Sequence, residues 1–274
     1  MRIRSLAGSS LVLMLLAAGS VSAEPTAASL QVDGSGLLLD MGDGSRPLRG
    51  IELSGATLFL AIDGKPAAEV TIASITPDPA HPDLLRHEFR VPDGKGGQKS
   101  ACTANIDGET WGFPVALPPG HPGRDGALTI TCASGAVVKC ARFGYKPWAR
   151  SSSGESLVDI HAACVRMVRA DYCGDSTPHT RDGTAIDMYD DLGIQTAGSL
   201  GDREFAFEAG WTPQGAACVA RTRWTDLLSR DALFQQCPKL AAMPACDEAS
   251  ARAAGARLFD RSRLKPFTVA PRKP

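Results

Sequence analysis

Eight cysteines, all placed behind an N-terminal secretory signal, constrain the fold of this 274-residue chain more than any other feature. The signal has two arginines, an apolar run over residues 11–18 and small residues up to Ala23, after which a signal peptidase would cleave. An even number of cysteines in an exported chain predicts a disulfide framework. We therefore expect a periplasmic or secreted mature protein held together by Cys102, Cys132, Cys140, Cys164, Cys173, Cys218, Cys237 and Cys246.

Local geometry narrows the pairing of these cysteines, because eight of them allow about 105 connectivities. Cys164 and Cys173 lie nine residues apart on one predicted helix. That spacing is roughly 13.5 Å along a helix, whereas the Cα atoms of a disulfide lie within about 7 Å. These two are not expected to pair. Cys237 and Cys246 enclose a loop with two prolines that can fold back, which favours a bond between them.

A second expected bond joins Cys173 to Cys218, which lies on a predicted hairpin strand. The loop that follows Cys173 is polar and needs a covalent anchor. This bond would hold the loop beside Trp211 and create a rigid, partly aromatic recess, the best place for a ligand. Cys102 and Cys140 remain alternative partners for Cys173.

The charge of the mature chain is close to neutral. Removing residues 1–23 takes away two of the 29 basic residues and none of the 30 acidic ones, which leaves 27 − 30 = −3. Such a balance favours neither nucleic acid nor an anionic membrane surface as a partner. No apolar run after the signal is long enough to span a bilayer, so no transmembrane segment is expected in the mature chain.

One amphipathic helix is predicted at the centre of the chain. Ser152 and Glu155 have the spacing of a capping box at a helix start, and Gly174 lies where a left-handed residue usually ends a helix. The apolar face repeats at three- and four-residue steps. It comprises Leu157, His161, Cys164, Val165, Val168 and Tyr172.

Asp171 falls on this apolar face, whereas Arg166 and Arg169 fall on the opposite side of the helix. A carboxylate on a buried face must find hydrogen-bond donors or a cation. We therefore expect Asp171 either to accept N–H groups of the following loop or to orient a histidine.

Short apolar runs separated by glycine turns predict strands throughout the first half. The runs are residues 37–39, 51–53, 57–62, 69–75 and 88–91, with turns at 43–44, 63–64 and 93–94. Residues 126–132 and 136–143 are expected to form another hairpin, with Cys132 and Cys140 on different faces. The proline-rich stretch 118–123 is expected to be an exposed loop.

The second half combines helices with one hairpin. Residues 204–211 and 217–224 flank a turn with proline in its second position, and helices are predicted at 225–236 and 247–260. Residues 265–274 are expected to be disordered. The predicted fold is α+β: a β-rich half, residues 24–150, packed on a helix-loop-hairpin-helix half, residues 151–264.

A set of short motifs in the second half of the chain carries a family resemblance. They are Ala170-Asp171-Tyr172-Cys173 with Arg169 and Gly174, His161-x-x-Cys164, His179-Thr180, Asp182-Gly183-Thr184, Lys139-Cys140 with Gly144-Tyr145-Lys146-Pro147-Trp148, and Glu208-Ala209-Gly210-Trp211, Gly215-Ala216, Cys218 and Cys237-Pro238. This set resembles the ADYC domain family, which is named after the tetrapeptide and is known from predicted secreted bacterial proteins of uncharacterised function. The resemblance covers most of residues 102–246 and implies no catalytic residue.

Metal binding at residues 161–191 has two forms, and neither is favoured. Zinc could use His161, Cys164, Cys173 and His179, but the two cysteines point to opposite sides of the predicted helix, and exported thiols oxidise. Calcium could use a crowd of carboxylates, but their spacing matches no EF-hand loop. That crowd is Asp171, Asp175, Asp182, Asp187, Asp190 and Asp191. We expect no metal and no cofactor.

Hydrolysis is the remaining chemical interpretation of this segment. Asp171 could orient His161 or His179, with Thr180 or Ser176 as nucleophile. The chain has no nucleophile elbow, no His-Glu-x-x-His and no glycine-rich phosphate loop.

The sequence is therefore compatible with two functions. The favoured one is a binding or structural protein of the cell envelope or extracellular space, with Arg181, Asp182 and Trp211 as candidate ligand contacts. The alternative is a hydrolase that acts on an envelope or extracellular polymer. An enzyme would gather His161, Asp171 and His179 in one open cleft, whereas a structural role would bury His161 and Asp171 among protein partners.

Overall fold

The protein is described by a computed structural model that covers residues 28–62, 65–123, 126–198 and 204–264. The predicted signal peptide, the turn at 63–64 and the predicted disordered tail lie outside these ranges. Within them, no helix has the length and apolar character needed to cross a membrane.

Thirteen strands and five α-helices make up the described chain. In chain order they are β1 Ser29–Asp33, β2 Gly36–Asp40, β3 Leu48–Arg49, β4 Thr57–Ile62, β5 Lys65–Pro77, β6 Leu85–Pro92, β7 Gln98–Ser100, β8 Gly112–Leu117, β9 Gly126–Cys132, α1 Ala136–Arg142, α2 Val158–Arg169, β10 Ile186–Asp190, β11 Phe205–Thr212, β12 Gly215–Val219, α3 Arg230–Gln236, α4 Pro238–Ala241, α5 Glu248–Ala253 and β13 Leu258–Arg263.

The chain divides into two compact units. The first contains β1 to β9 up to Ser134, and the second contains residues 106–108, 120–123 and everything from Gly135 onward. Residues 135–150 thus belong with the C-terminal unit, and the division lies earlier than the expected boundary near Ser151.

The first unit consists of two antiparallel sheets. Strands β1 to β3 form one, and β4, β5, β6, β8 and β9 form the other, with β7 added on β6. Alternate residues of these strands face an apolar core, as expected for sheets with one solvated face. The buried residues of that core are Leu37, Leu39, Leu53, Leu58, Val70, Ile72, Ile75 and Phe89.

The second unit is built on a four-stranded antiparallel sheet in the order β10-β13-β11-β12. The C-terminal strand β13 lies between β10 and β11 and pairs with both. Helices α2 and α5 contact the sheet, and α1 packs against α2. The expected α+β class is therefore confirmed.

Three of the sequence-based element assignments are wrong. Residues 136–142 form helix α1 and not a hairpin strand, because Gly135 provides an extended residue at the helix start. Residues 50–53 form a 3₁₀ turn. Residues 258–263 form β13 rather than the end of a helix, because Gly255 with its positive φ of 89° closes α5 early. The hairpin around residues 212–215 is confirmed.

Helix α2 is confirmed as the central helix, but it is shorter than predicted. It begins at Val158 with Leu157 at the N-cap, so Ser152 and Glu155 form no capping box there. It ends at Arg169, because Ala170 adopts a left-handed conformation with φ 49°.

All eight cysteines form disulfides, with the connectivity Cys102–Cys132, Cys140–Cys164, Cys173–Cys237 and Cys218–Cys246. The first bond lies in the first unit and the other three in the second. The expected bonds Cys237–Cys246 and Cys173–Cys218 are both wrong. Cys237 bonds to Cys173, 64 residues before it, instead of to the nearby Cys246, and Cys246 bonds to Cys218, 28 residues before it.

Candidate functional site

The tetrapeptide Ala170–Cys173, which we call the ADYC segment, lies directly after α2, and each of its residues has a separate structural role. Ala170 is buried and ends the helix, with its N–H directed to the carbonyl groups of Arg166 and Met167. A non-glycine residue in this conformation carries a steric cost. The contacts made by Asp171, Tyr172 and Cys173 offset this cost and keep Ala170 in the left-handed conformation.

Asp171 is fully buried and ties the helix end to the loop that follows. Its two carboxylate oxygens accept the backbone N–H groups of Gly174 at 3.1 Å and of Ser176 at 3.0 Å. The same carboxylate pairs with Arg166, whose side chain is only 8% exposed. The expectation that Arg166 points away from the packed face is wrong, because the chain leaves the helix before Asp171 and turns back over it.

Tyr172 connects the segment to a cluster of buried polar groups. Its hydroxyl donates to Glu208 of β11 at 2.9 Å and accepts the backbone N–H of Arg223 at 2.8 Å. Burial, followed by the Glu208 carboxylate, raises the pKa of Tyr172 well above its ordinary value, so the phenol stays protonated and can donate.

Arg223 is the centre of this cluster, with its side chain 1% exposed. It lies 3.0 Å from Glu208 and 2.9 Å from Asp260 of β13. It also donates to the carbonyl oxygen of Met167 in the last turn of α2 at 2.9 Å, and the same oxygen accepts the N–H of Ala170. Trp211 donates its indole N–H to Asp260 at 2.8 Å.

We call Tyr172, Glu208, Trp211, Arg223 and Asp260 the buried network. Two carboxylates share one guanidinium in it, and burial together with Glu208 raises the pKa of Asp260 well above its ordinary value. Removing the cation would leave both acids without compensation, which is strongly destabilising.

Cys173 completes the segment through its disulfide with Cys237. Gly174 follows with φ 75°, and a Cβ at that position would lie 1.8 Å from the carbonyl oxygen of Gln214. Only glycine allows the chain to pass this close to the β11–β12 turn. The loop 174–184 is therefore anchored at its start by a disulfide, a carboxylate and a close backbone contact.

His161 is fully buried, and its environment does not suit a catalytic base. Its Nδ1 lies 3.0 Å from Nε2 of His121, and its Nε2 lies 3.2 Å from the carbonyl oxygen of Val137. Both ring nitrogens are thus engaged by groups other than Asp171 and His179. The expectation that residues 118–123 are wholly exposed is wrong, since His121 is 8% exposed.

His179 and Thr180 lie on the loop 174–184. The His179 ring stacks on Tyr172 at a centroid distance of 6.3 Å, and its backbone N–H donates to the carbonyl of Arg169. Burial lowers the pKa of His179, and Asp175 and Asp171 oppose that effect. Thr180 accepts a long hydrogen bond of 3.4 Å from Arg223.

The three candidate ligand contacts lie in different environments. The guanidinium of Arg181 lies over the Trp224 ring at 4.0 Å and pairs with Asp226. Asp182 is 87% exposed and lies 3.6 Å from Lys139. Trp211 is 1% exposed and stacks on Tyr172.

Trp211 belongs to the buried network, and Asp171 and Thr180 lie next to it. His161 lies apart from the network and bonds to His121 and Val137. Sequence reasoning missed Glu208, Arg223 and Asp260, although two of them carry a recognisable signal. Glu208 interrupts the apolar run 205–211, and Asp260 follows Leu258–Phe259 directly. A charge inside an apolar strand requires a buried partner.

The acidic crowd of residues 171–191 is distributed among protein partners. Asp187 pairs with Arg261, and Asp190 accepts the hydroxyl of Tyr145 at 2.7 Å. Within the described ranges, no group of three or more histidine, cysteine, aspartate or glutamate residues is arranged to hold a metal ion.

A family model for the ADYC domain matches residues 50–225, so the chain belongs to the ADYC domain family. The match includes α2, the ADYC segment and Arg223, but β13, Cys237 and Cys246 lie beyond its end. No curated protein and no solved structure matches the chain.

Proposed function

We propose that this chain is an exported, disulfide-bonded binding module of the cell envelope or extracellular space, in which the ADYC segment fixes the loop 174–184 for ligand recognition. The proposal rests on a difference between the ADYC segment and the loop that follows it. All four side chains of residues 170–173 are used for internal packing or bonding, whereas Asp175, Thr177, Pro178 and Asp182 on the anchored loop are exposed.

A rigid loop with exposed polar groups suits recognition better than catalysis. Pre-ordering lowers the entropy that binding would otherwise cost. The loop offers two carboxylates, hydroxyl groups, an imidazole and the Arg181 guanidinium, a set that hydrogen-bonds polar ligands such as the sugars and peptides of envelope polymers. Arg181 is already positioned by Trp224 and Asp226.

The hydrolase alternative has weaker support. His161 and Asp171 are buried with separate partners, and a general base must reach the proton it removes. One observation favours it: Ser176 is a non-glycine residue with φ 72°, and its hydroxyl lies 3.3 Å from Nη1 of Arg166. Strained residues cluster at active sites, but strain alone does not identify one.

A binding assay with matched variants tests the proposal. Purified mature protein is incubated with insoluble peptidoglycan and with a panel of envelope polysaccharides, and the bound fraction is measured by sedimentation. The double variant Arg181→Ala/Asp182→Ala removes two loop charges of opposite sign. The control Arg257→Ala/Glu155→Ala removes an exposed ion pair of the same unit.

We expect the wild type and the control to bind one polymer and the loop variant to lose at least tenfold in affinity. Equal binding by both variants would reject the loop as the site. Release of soluble fragments from the polymer, abolished in Ser176→Ala, would favour the hydrolase instead.

Export is tested separately by cell fractionation. We expect the mature chain outside the cytoplasm, with Glu24 as its first residue. Retention of residues 1–23 in the cytoplasmic fraction would reject the export part of the proposal.

A further inference from the structure

The second unit contains a pair of stacked, buried histidines outside the ADYC segment. His121 and His161 have ring centroids 4.9 Å apart and are 8% and 0% exposed. His121 belongs to the short stretch 120–123, and His161 lies on α2. The pair connects that stretch to α2 and, through the carbonyl of Val137, to α1.

The hydrogen-bond directions determine where the protons lie. The backbone N–H of Gly123 can only donate, and it lies 2.9 Å from Nδ1 of His121, which must therefore accept. The neutral His121 ring then carries its proton on Nε2 and donates it to Nδ1 of His161. His161 in turn carries its proton on Nε2 and donates it to the carbonyl of Val137.

This chain of hydrogen bonds is complete with one proton on each ring and has no place for another. An added proton would face either the N–H of Gly123 or the Nε2–H of His121, so one bond would break. The charged group that acts on His121 in the described unit is the Arg166 guanidinium, which repels a second positive charge. Arg166 itself is paired with Asp171, and the group that α1 presents is the neutral carbonyl of Val137.

The two sides of the pair differ in covalent connection. Helices α1 and α2 are joined by the fully buried disulfide Cys140–Cys164, one turn from Val137 and His161. Residues 120–123 have no such bond to the helices. Proton uptake that breaks the pair would therefore displace this stretch and leave α1 and α2 together.

We infer that the His121–His161 pair is an acid-operated latch, in which proton uptake releases residues 120–123 from α1 and α2 while the remainder of the second unit stays folded. This inference does not depend on the proposed binding function. Burial, followed by Arg166, lowers the pKa of His121 to about 4, and burial, followed by His121, lowers that of His161 to about 3.

The sign of the pH effect follows from these values. A released imidazole has a pKa near 6.5, so the open form binds the proton more tightly than the closed form. The closed form is fully favoured above that pH. Below it, the open population rises by about tenfold per pH unit for one proton taken up.

Hydrogen–deuterium exchange of the full mature protein between pH 4.5 and 7.5 tests the latch, with rates corrected for intrinsic exchange. We expect peptides that cover residues 120–123 to lose protection by about tenfold per pH unit below about pH 6.5, while peptides from α2 keep theirs. The double variant His121→Gln/His161→Gln should abolish this pH dependence, whether its loop is closed or already open, because it removes both titrating rings. The control His81→Gln should retain it.

Carbon-13 shifts of the imidazoles in the wild type provide a readout that needs no variant. Protonation of His121 and loss of protection at residues 120–123 should occur over the same pH range. The inference is overturned if the rings titrate near pH 6.5 while the stretch stays protected. It is also overturned if α2 loses protection together with residues 120–123, because that result is general acid unfolding.

Discussion

The two units of this protein are stabilised in different ways. The first has one disulfide, and its described core consists of aliphatic and aromatic side chains that alternate along strands. The second has three disulfides and most of the buried charges. The buried charged side chains of the second unit are Arg166, Asp171, Asp187, Glu208, Arg223 and Asp260, whereas the first has Asp78, which pairs with Arg86.

This difference shows what each unit tolerates. Burial of apolar surface is non-directional, so a core of the first kind accepts changes that conserve volume. A buried charge needs its own partner in its own place, so the second kind of core fails when one member is lost. The ADYC segment belongs to the second kind.

The largest effect is expected from removal of the C-terminal part of the second unit. A chain that ends after Trp224, close to the end of the family match, would lack Cys237, Cys246 and the whole of β13 with Asp260. Two cysteines would lose their partners, and the sheet would lose an inner strand. We expect limited proteolysis to digest the second unit and to leave the first resistant.

The matched control for this truncation ends after Leu264 and retains β13. It should be as resistant to protease as the full chain. If the shorter chain also stays resistant in both units, the region that the family model matches is an independent folding unit and our assignment of β13 is wrong.

The next largest effect is expected for Arg223→Met, which removes the cation between Glu208 and Asp260. Breaking a buried ion pair by removing one partner costs about 3–5 kcal/mol. The control Arg257→Met breaks an exposed pair with Glu155, which is worth at most about 1 kcal/mol. Urea unfolding midpoints measure both, and equal losses would show that the buried network contributes no more than a surface ion pair.

A moderate effect is expected for Asp171→Asn, which keeps the size of the side chain but removes its charge. One of the N–H groups of Gly174 and Ser176 would meet an amide NH₂ in place of an oxygen, and Arg166 would lose its ion pair. We expect a loss of about 2–3 kcal/mol in the free energy of unfolding.

The control for Asp171 is Asp226→Asn, because Asp226 pairs with Arg181 at the surface and is 60% exposed. Its loss should stay below about 1 kcal/mol. Identical melting temperatures for the two variants would contradict the anchoring role of Asp171.

The smallest effect at neutral pH is expected in the first unit, for His87→Phe. His87 is fully buried, stacks on Phe89, and has no hydrogen-bond partner for Nε2 within the described residues. Replacing a poorly satisfied polar ring by an apolar ring of similar shape is close to neutral. We expect a change of less than about 1 kcal/mol at pH 7.5.

The effect of His87 on stability should become measurable at acidic pH. Burial lowers the pKa of His87 to about 4 in the folded state, below the ordinary 6.5, so its neutral form stabilises the fold fully above pH 6.5. That contribution is lost as the pH falls from 6.5 towards 4, by up to about 3 kcal/mol. Urea midpoints measured over this range should fall less in His87→Phe than in the wild type, and parallel profiles would reject the assignment.

Some features of the fold could be predicted from the sequence because they depend on neighbours in the chain. Short apolar runs separated by glycine turns located β2, β4, β5 and β6, and the three- and four-residue spacing located α2. A proline and a glycine at set positions located the β11–β12 turn. The same reasoning failed at Gly135, where a glycine that suggested a hairpin turn instead precedes a helix.

The candidate site was located by sequence but was misread in detail. Placing Asp171 on a helix predicted a buried carboxylate, which is correct, yet it also put Arg166 on the wrong side. The helix stops at Ala170, and no local pattern announces a left-handed alanine. Helical spacing cannot describe residues after the helix has ended.

The sequence by itself determined the α+β class, the central helix, the ADYC segment and the presence of a disulfide framework, because each depends on residue type and short-range spacing. Only the tertiary structure decided which cysteines pair, that β13 enters the middle of the sheet, and that Arg223 lies between Glu208 and Asp260. These contacts join residues between 15 and 76 positions apart in the chain. The residue type alone indicates that a buried charge or a thiol needs a partner. Which residue becomes that partner depends on the folded chain.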